Sequence, residues 1–159
     1  MQKIVPCLWF NNNVQEALDF YSSVFKSTKI TNINHYPAGA PMPEGNIMTA
    51  TFELEGQEFL ALNGGPEFKF NEAISLMVKC ETQKEIDFYW EKLSEGGKEG
   101  PCGWLTDKFG LSWQIVPDHL EKLLNDKNPA RSQRVMQAVM KMKKLDVGIM
   151  EREFEGGMD

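Results

Sequence analysis

Apolar and polar positions follow two different periods along the first half of the chain, and each period predicts one kind of element. Residues 4–10 form an apolar run of strand length, and residues 14–25 then carry apolar side chains at helical spacing. Residues 28–36 and 46–55 alternate with the period of two that is typical of strands. The first half therefore predicts a strand, a helix and then further strands. The apolar positions of the helix are Val14, Ala17, Leu18, Tyr21 and Phe25.

The second half of the chain repeats this order. An apolar residue followed by Asp-Phe-Tyr occurs at residues 18–21 and again at residues 86–89, an offset of 68 residues. At the same offset Pro6, Leu8 and Phe10 fall on Ile74, Leu76 and Val78, within the apolar runs 4–10 and 74–80. Residues 82–95 again have a helical period. Both halves therefore begin with a strand and a helix.

The two halves also end alike. A glycine at 56 precedes the strand-like residues 57–62, and a glycine at 110 precedes the strand-like residues 111–116. The first half is longer because it contains the loop 37–45, whose prolines and glycines do not fit a central strand. The pattern predicts a βαβββ unit that occurs twice.

Two motifs carry a resemblance to a known family: PCLWFNNNVQEALDFYSSVF at residues 6–25 and GWLTDKFGLSWQIVP at residues 103–117. Over about residues 3–124 the chain resembles the PhnB-like proteins, also described as 3-demethylubiquinone 3-methyltransferase-like, of the vicinal-oxygen-chelate superfamily. The resemblance implies the α+β fold of the glyoxalase, bleomycin-resistance and dihydroxybiphenyl dioxygenase proteins. In that fold paired βαβββ modules form a curved mixed sheet, a cup around a small-molecule site. Because the fold hosts many chemistries, it does not by itself imply a reaction.

The expected organisation is one domain at residues 1–124 followed by a C-terminal helical extension at 125–159. Module one covers about residues 3–66, and module two covers about residues 72–117.

Metal-using members of the superfamily draw four ligands from one strand pair in each module. By position in the repeat, the four places fall here on Pro6, Leu60, Ile74 and Gln114. A shift of one residue would place there Cys7, Ala61, Ser75 and Ile115. Neither set suits a divalent metal, which needs three or more nitrogen, oxygen or sulfur ligands. We therefore expect no metal and no other cofactor, which disfavours a metal-dependent glyoxalase-type lyase or dioxygenase.

Strand alternation around these four places assigns an expected lining of the cup. The side chains expected to face the cup are Leu8, Leu60, Leu62, Ile74, Leu76, Ser112, Gln114 and Val116. Those expected beneath the helices are Cys7, Trp9, Phe59, Met77, Trp113 and Ile115. A mostly apolar lining with a few polar groups is typical of a pocket for a small, partly apolar molecule. The alternative is that these side chains fill the cup as a second core.

The face that Trp104 occupies depends on the hairpin at residues 107–110. Asp107 and Gly110 fit a type I turn that ends in a left-handed glycine, and this three-residue loop would place Trp104 opposite Gln114 on the cup side. A four-residue loop would instead pair Trp104 with Trp113 and turn it towards the helices. The first register is the preferred one.

The residues after the second module predict helices. Residues 118–127 have helical signals, and residues 130–144 then carry a broad apolar face. That face consists of Val135, Met136, Val139, Met140 and Met142. It requires a partner surface, either on the back of the sheet or on a second subunit. The resemblance implies a homodimer, and exchange of the tail between subunits is an open alternative.

Composition narrows the class of partner and the location. The formal net charge is −6 and the acidic residues are scattered, so a nucleic-acid partner is not expected. No apolar run reaches the length of a membrane span, and the N-terminus lacks the features of a signal peptide, so we expect a cytoplasmic protein without a membrane partner. The three cysteines have no Cys-x-x-Cys spacing, which is typical of reduced structural thiols.

The predicted function is a PhnB-like homodimer of unassigned reaction that binds a small, partly apolar molecule in a metal-free cup. Its polar contacts are expected from Gln114, Ser112 and Trp104, and no residue is assigned a catalytic role, since neither His35 nor His119 has a spaced carboxylate or nucleophile. A resistance-type protein that only binds and sequesters its ligand is the alternative. Methyl transfer is disfavoured because no glycine pair lies in the strand-to-helix loop that S-adenosylmethionine enzymes use.

Overall fold

The computed structural model of the chain describes residues 2–156, which divide after Phe70 into two compact units. The first unit is a four-stranded mixed sheet of order β1-β4-β3-β2 with one helix. In this sheet β1 runs parallel to β4, and the other neighbours are antiparallel. Its elements are β1 (Cys7–Phe10), α1 (Val14–Val24), β2 (Thr28–His35), β3 (Ile47–Leu54) and β4 (Gln57–Asn63).

The second unit repeats this topology and adds three helices. Its sheet has the order β5-β8-β7-β6, with β5 parallel to β8. The repeated βαβββ unit and the α+β class predicted from the sequence are therefore confirmed. The elements are β5 (Ser75–Cys80), α2 (Gln83–Ser94), β6 (Lys98–Glu99), β7 (Trp104–Thr106), β8 (Ser112–Pro117), α3 (Leu120–Leu124), α4 (Pro129–Val139) and α5 (Val147–Glu155).

In the first unit α1 buries one face against its sheet. The Tyr21 ring lies parallel to that of Phe52, with 6.5 Å between the ring centroids. The start of the helix is held by Asn63 of β4, whose Oδ1 accepts a hydrogen bond of 3.1 Å from the backbone N–H of Val14. Asn63 thereby satisfies a helix N–H that the side chain of the N-cap residue, Asn13, leaves unbonded. This contact ties the helix to the last strand of its own module.

In the second unit α2 covers the equivalent face. Its N-terminus is capped by Thr82, whose hydroxyl accepts a hydrogen bond from the N–H of Glu85, while the Glu85 carboxylate accepts one from the N–H of Glu81. The buried side of the helix packs towards β7 and β8. The buried residues of this core are Ile86, Trp90, Leu93, Leu105, Trp113 and Ile115.

The C-terminal helices form a second small core beside this sheet. It includes Val116 at the end of β8, which lies on the same face of the sheet as Ser112 and Gln114, as expected, but is covered by these helices. The predicted apolar face of α4 is only partly used, because Val135 and Val139 are buried whereas Met136 and Met140 are 43% and 67% exposed. The predicted helix at 118–127 is shorter than expected, and α5 was not predicted. The buried members are Val116, Leu123, Val135, Val139, Leu145 and Met150.

The segment between α4 and α5 is tied to the start of α2. Gln83 accepts a hydrogen bond of 2.8 Å from the N–H of Val147 and donates one of 3.1 Å to the carbonyl oxygen of Leu145. The ammonium of Lys144 lies 2.6 Å from a carboxylate oxygen of Asp87. Hydrogen bonds from Lys144 and then Gln83 lower the pKa of the Asp87 carboxyl.

None of the described helices is long and apolar enough to cross a membrane.

The hairpin between β7 and β8 is organised by a buried aspartate. Asp107 is 2% exposed, and its Oδ1 accepts hydrogen bonds from the backbone N–H groups of Phe109 and Leu111, at 2.9 and 3.1 Å. Its Oδ2 accepts a hydrogen bond of 2.9 Å from the indole N–H of Trp113. One carboxylate thus fixes both the turn and a core side chain of β8.

Replacement of Asp107 by alanine should lower the free energy of unfolding by about 3 kcal/mol, because two buried donors and one partly buried donor lose their acceptor. Trp113→Phe retains the Asp107 carboxylate and the turn, so it should lower the free energy of unfolding by less than D107A does. Asp126→Ala is the matched control, since Asp126 also accepts a backbone hydrogen bond but at an exposed position. Urea unfolding followed by circular dichroism measures all three, and a D107A cost no larger than that of D126A would contradict this role.

Candidate functional site

The sheet of the second unit has one face under α2 and one face away from it, which we call the open face. Directly paired residues on neighbouring strands share a face, so the register shows which side chains lie on each. Leu105 pairs with Trp113, and both are buried on the α2 side. Glu99 lies on that side as well, since its carboxylate accepts a hydrogen bond of 3.0 Å from the indole N–H of Trp90 on α2. The pairs on either side of these residues lie on the open face.

Two rows of side chains cross the open face of this sheet. Each row contains residues paired directly across neighbouring strands. The first, which we call the hydroxyl row, consists of Lys98, Thr106, Ser112 and Ser75. The second, which we call the amide row, consists of Trp104, Gln114 and Met77. The open face therefore combines three hydroxyls, one amide, one ammonium and an indole.

The turn between β7 and β8 sets the register of both rows. The N–H of Asp107 donates to the carbonyl oxygen of Leu111, and Gly110 has φ 86°, a left-handed value that favours glycine. This is the three-residue loop preferred from the sequence, and it places Trp104 opposite Gln114 as predicted. The four-residue alternative is excluded by this pairing.

Gln114 lies at the centre of the open face and is only half buried. Its Nε2 donates a hydrogen bond of 2.9 Å to the hydroxyl of Ser75. Its Oε1 accepts no hydrogen bond from any residue in the described part of the chain. The amide is thus oriented by one neighbour and retains a free acceptor, an arrangement suited to a ligand that donates a hydrogen bond.

Ser112 lies between Thr106 and Ser75 in the hydroxyl row. It is 0% exposed, yet its hydroxyl has no hydrogen-bond partner among residues 2–156. A buried hydroxyl without a partner has a free-energy cost that a ligand or a water molecule would remove. Ser112 is therefore a second polar group of this face whose hydrogen-bonding capacity is not used by the described residues.

A cleft of about 510 Å³ lies along the Trp104 side of the open face, a volume within the range of small-molecule pockets. The backbone of Cys102 at its edge has φ 58°, which is unusual for a residue other than glycine. The cleft is lined by residues of the open face and also by Glu99 and Leu105 from the α2 side. The full lining is Glu72, Lys98, Glu99, Gly100, Pro101, Cys102, Trp104, Leu105, Thr106 and Ser112.

The faces expected for the first strand of each module are wrong by one residue. The sheet of the first unit likewise has an open face, the face away from α1. Leu8 pairs with Ala61 on the α1 side, and Leu76 pairs with Trp113 on the α2 side, so neither leucine lies on an open face. Ile74 precedes β5 and is 72% exposed rather than part of the strand. These strands come from apolar runs that alternate poorly, so their hydrophobic pattern does not specify a register.

Because the expected faces of β1 and β5 are wrong by one residue, the residues next to Leu8 and Leu76 also change face. Cys7, Trp9 and Met77, expected beneath the helices, lie on the open faces instead. Phe59, Trp113 and Ile115 lie beneath the helices as expected. On the open faces, Leu60 and Leu62 pair with Cys7 and Trp9 in the first unit, while Ser112 and Gln114 pair with Ser75 and Met77 in the second.

Three polar side chains on the open face of the second sheet were not identified from the sequence. Ser75 appeared only in the alternative shifted by one residue. The hairpin register preferred for Trp104 also places Thr106 opposite Ser112. The sequence therefore contained a signal for the position of Thr106. Lys98 had no signal, because β6 contains only two residues and shows no alternation.

The first unit has a more apolar open face. The indole N–H of Trp9 donates a hydrogen bond of 3.0 Å to the carbonyl oxygen of Gly65, and the Phe68 ring meets the Trp9 ring edge-on at 4.8 Å. Next to Trp9 in the strand, Cys7 is exposed, and partial burial raises the pKa of its thiol. This face offers mainly packing surface to a ligand.

The side chains present do not fit a divalent metal. The open faces offer the Gln114 amide and the Cys7 thiol, but neither belongs to a set of three or more ligands. Within residues 2–156 no three His, Cys, Asp or Glu side chains come together. His35 is exposed at the end of β2, and His119 is paired with Asp118 at 3.1 Å.

Comparisons with known proteins agree with this architecture. A sequence model of the family described as 3-demethylubiquinone-9 3-methyltransferase matches residues 2–116. A comparison with curated proteins gives no match. Among solved structures, the PhnB protein of Bacillus cereus, which carries the same family description, is 38% identical with a TM-score of 0.65. The match covers 72% of this chain and 99% of the Bacillus protein.

Two more distant structures share the fold. Protein PA1353 of Pseudomonas aeruginosa is 22% identical, with a TM-score of 0.60, and the match covers 74% of this chain and 98% of that protein. The fosfomycin resistance protein FosX of Listeria monocytogenes is 12% identical, with a TM-score of 0.56, and the match covers 79% of this chain and 98% of FosX. Another structure of FosX contains Mn(II) and sulfate.

The cysteines should differ strongly in reactivity. Burial, followed by the charges of Glu85 and Asp118, raises the pKa of the Cys80 thiol to about 12. At pH 8 only on the order of 10⁻⁴ of that thiol is ionised, so iodoacetamide should modify Cys80 at least about 100-fold more slowly than the exposed Cys7. Mass spectrometry of peptides measures both rates, with the urea-unfolded chain as the control in which they converge. Equal rates in the folded protein would contradict the burial of Cys80.

Proposed function

The chain belongs to the 3-demethylubiquinone-9 3-methyltransferase family of PhnB-like proteins, and on that premise we propose that it binds a small, partly apolar molecule on the open face of the second sheet. The fold is that of the vicinal-oxygen-chelate superfamily, which includes the glyoxalase and bleomycin-resistance proteins. The site consists of the amide row and the hydroxyl row, with the Trp104 indole as its apolar surface. Leu60 and Leu62 remain candidate contacts on the open face of the first sheet.

The observation that carries this proposal is the state of Gln114. An amide held by Ser75 on one side, with its oxygen unbonded on the other, is oriented for a partner outside the protein. The Trp104 indole lies directly beside it and offers a large flat surface. A molecule with one hydrogen-bond donor and a flat apolar body matches these two side chains.

The open face supports binding better than a reaction. None of its described hydroxyls is hydrogen-bonded to a histidine or a carboxylate, so no side chain there is activated as a nucleophile. This observation favours the resistance-type alternative, in which the protein binds and sequesters its ligand. Turnover of a bound ligand that requires Gln114 would contradict it.

We propose that methyl transfer is not the activity, although the family description names it. The described glycine pairs, at 64–65 and 96–97, follow β4 and α2 and lie in no strand-to-helix loop of the kind that binds S-adenosylmethionine. Saturable binding of S-adenosylmethionine, measured by calorimetry, would contradict this.

We also propose that the protein is a homodimer and that residues 1–124 form the family domain. The family match ends at residue 116, which supports a separate C-terminal extension at 125–159.

The exposed methionines of α4, Met136 and Met140, provide an apolar surface for a second subunit of the proposed homodimer. A monomer by light scattering at micromolar concentration would contradict the homodimer.

The ligand site can be tested by substitution at its two central side chains. Fragments that raise the melting temperature of the wild type should bind about 10-fold more weakly to Gln114→Leu and to Trp104→Leu, because each loses about 1.4 kcal/mol of contact. Gln133→Leu is the matched control, since Gln133 is exposed on α4. Unchanged affinity in both site variants would contradict the proposed site, and so would a screen in which no fragment binds.

The absence of a metal requirement can be tested by elemental analysis. After incubation with Mn(II), Zn(II) or Ni(II) and removal of free metal, the protein should retain well below one equivalent, because its open faces lack a ligand set. FosX, carried through the same steps, is the positive control, since it is seen with Mn(II). Retention of one equivalent that is lost in Q114L would contradict the metal-free proposal.

A further inference from the structure

The hydroxyl row ends in a cation at the edge of the cleft. Lys98 pairs with Thr106, so its side chain lies on the open face and lines the cleft. No carboxylate in the described part of the chain forms an ion pair with Lys98. The neighbouring Glu99 also lines the cleft, but its carboxylate accepts a hydrogen bond from the indole N–H of Trp90. The ammonium of Lys98 is therefore available to a bound anion.

The row places hydrogen-bond donors beside this ammonium. Thr106 and Ser112 follow Lys98 across the strands, and both line the cleft. The Ser112 hydroxyl is fully buried without a partner among the described residues. A carboxylate or phosphate oxygen would satisfy this donor, whereas a methyl or methylene group would leave it unbonded.

Two side chains of the cleft have the opposite sign, the carboxylates of Glu72 and Glu99. Glu72, in the turn before β5, also lines the cleft and would repel an anion. Together with the Trp104 indole, Glu72 could instead favour an amine. The Glu99 carboxylate is engaged by the indole N–H of Trp90, whereas the Lys98 ammonium adjoins the hydroxyls of Thr106 and Ser112, so this end of the cleft favours an anion.

We propose that the ligand carries an acid group, a carboxylate or a phosphate-type oxyanion, bound by Lys98 and by the hydroxyls of Thr106 and Ser112. The apolar body of the ligand then lies on the Trp104 indole, towards Gln114. This inference rests on the proposed function and specifies its ligand class, an amphipathic acid. The charge of the ligand's head group, rather than the size of that group, determines how tightly the protein binds the ligand.

The test uses four probes that share a phenyl ring on a short chain and differ in the head group. They are 3-phenylpropionate, 2-phenylethylphosphonate, 3-phenylpropionamide and 3-phenylpropylamine. Binding is followed by the Trp104 indole resonance in proton–nitrogen NMR of the full chain, one of four tryptophan indoles. The acid probes should bind at least about 5-fold more tightly than the amide and the amine. The carboxylate and phosphonate arms show which acid the row prefers.

Lys98→Met removes the charge and retains the length of the side chain, and it should abolish the preference for the acid. Lys79→Met is the matched control, because Lys79 is an exposed lysine on the same open face, paired with Val116 outside the cleft. The control should retain the preference. Glu72→Gln should strengthen binding of the acid about 2-fold or more by removal of the opposing charge.

Ser112→Ala separates a binding role from a structural one. Because the hydroxyl has no partner among residues 2–156, S112A should not lower the urea midpoint, yet it should weaken the acid probes about 5-fold. A variant that unfolds more easily and binds the acid as tightly as the wild type would overturn the role of Ser112 in acid binding.

The outcomes distinguish this inference from the function on which it rests. Preference for the amide or the amine, or an acid preference that persists in K98M, overturns the ligand class while leaving the binding site intact. Failure of every probe to shift the Trp104 resonance overturns the ligand class and contradicts the site as well. A preference for acid that K98M and S112A remove, and K79M retains, supports the proposal.

Discussion

The register of β8 against β5 and β7 is the constraint on which the site depends. A slip of one residue would exchange the two faces of the strand, bringing Trp113 and Ile115 into the open and burying Gln114 beneath α2. Asp107 opposes such a slip from the β7 side, because its carboxylate holds both the turn and the Trp113 indole. The same hydrogen bonds that stabilise the hairpin thus determine which polar groups face a ligand.

This dependence explains which parts of the structure were predictable from the sequence. The repeat and the position of Trp104 opposite Gln114 were predicted correctly, because Asp-Phe-Tyr recurs in the helices and Asp107 with Gly110 has a specific turn signature. The faces of Leu8 and Leu76 were wrong, because their runs lack a clear period of two. A strand that is apolar on both sides contains no information about which side meets the helix.

Other features depend on contacts that no local pattern encodes. Lys98 belongs to a two-residue strand whose position follows from its pairing with β7. The helix α5 begins at an Asp146 cap, but its place depends on the long-range hydrogen bonds between Gln83 and residues 145 and 147. These contacts link residues more than 60 positions apart, which places them beyond any window of sequence pattern.

Our proposal is that this family member binds a small molecule through hydroxyls, an amide and an indole rather than through a metal. The most direct test follows the side-chain amide of Gln114 by NMR, assigned from its loss in Q114L, during titration with a fragment that stabilises the protein. The account predicts a saturable shift with the same midpoint as that of the Trp104 indole. A fragment that shifts the Trp9 indole while the Gln114 amide stays unchanged would contradict it.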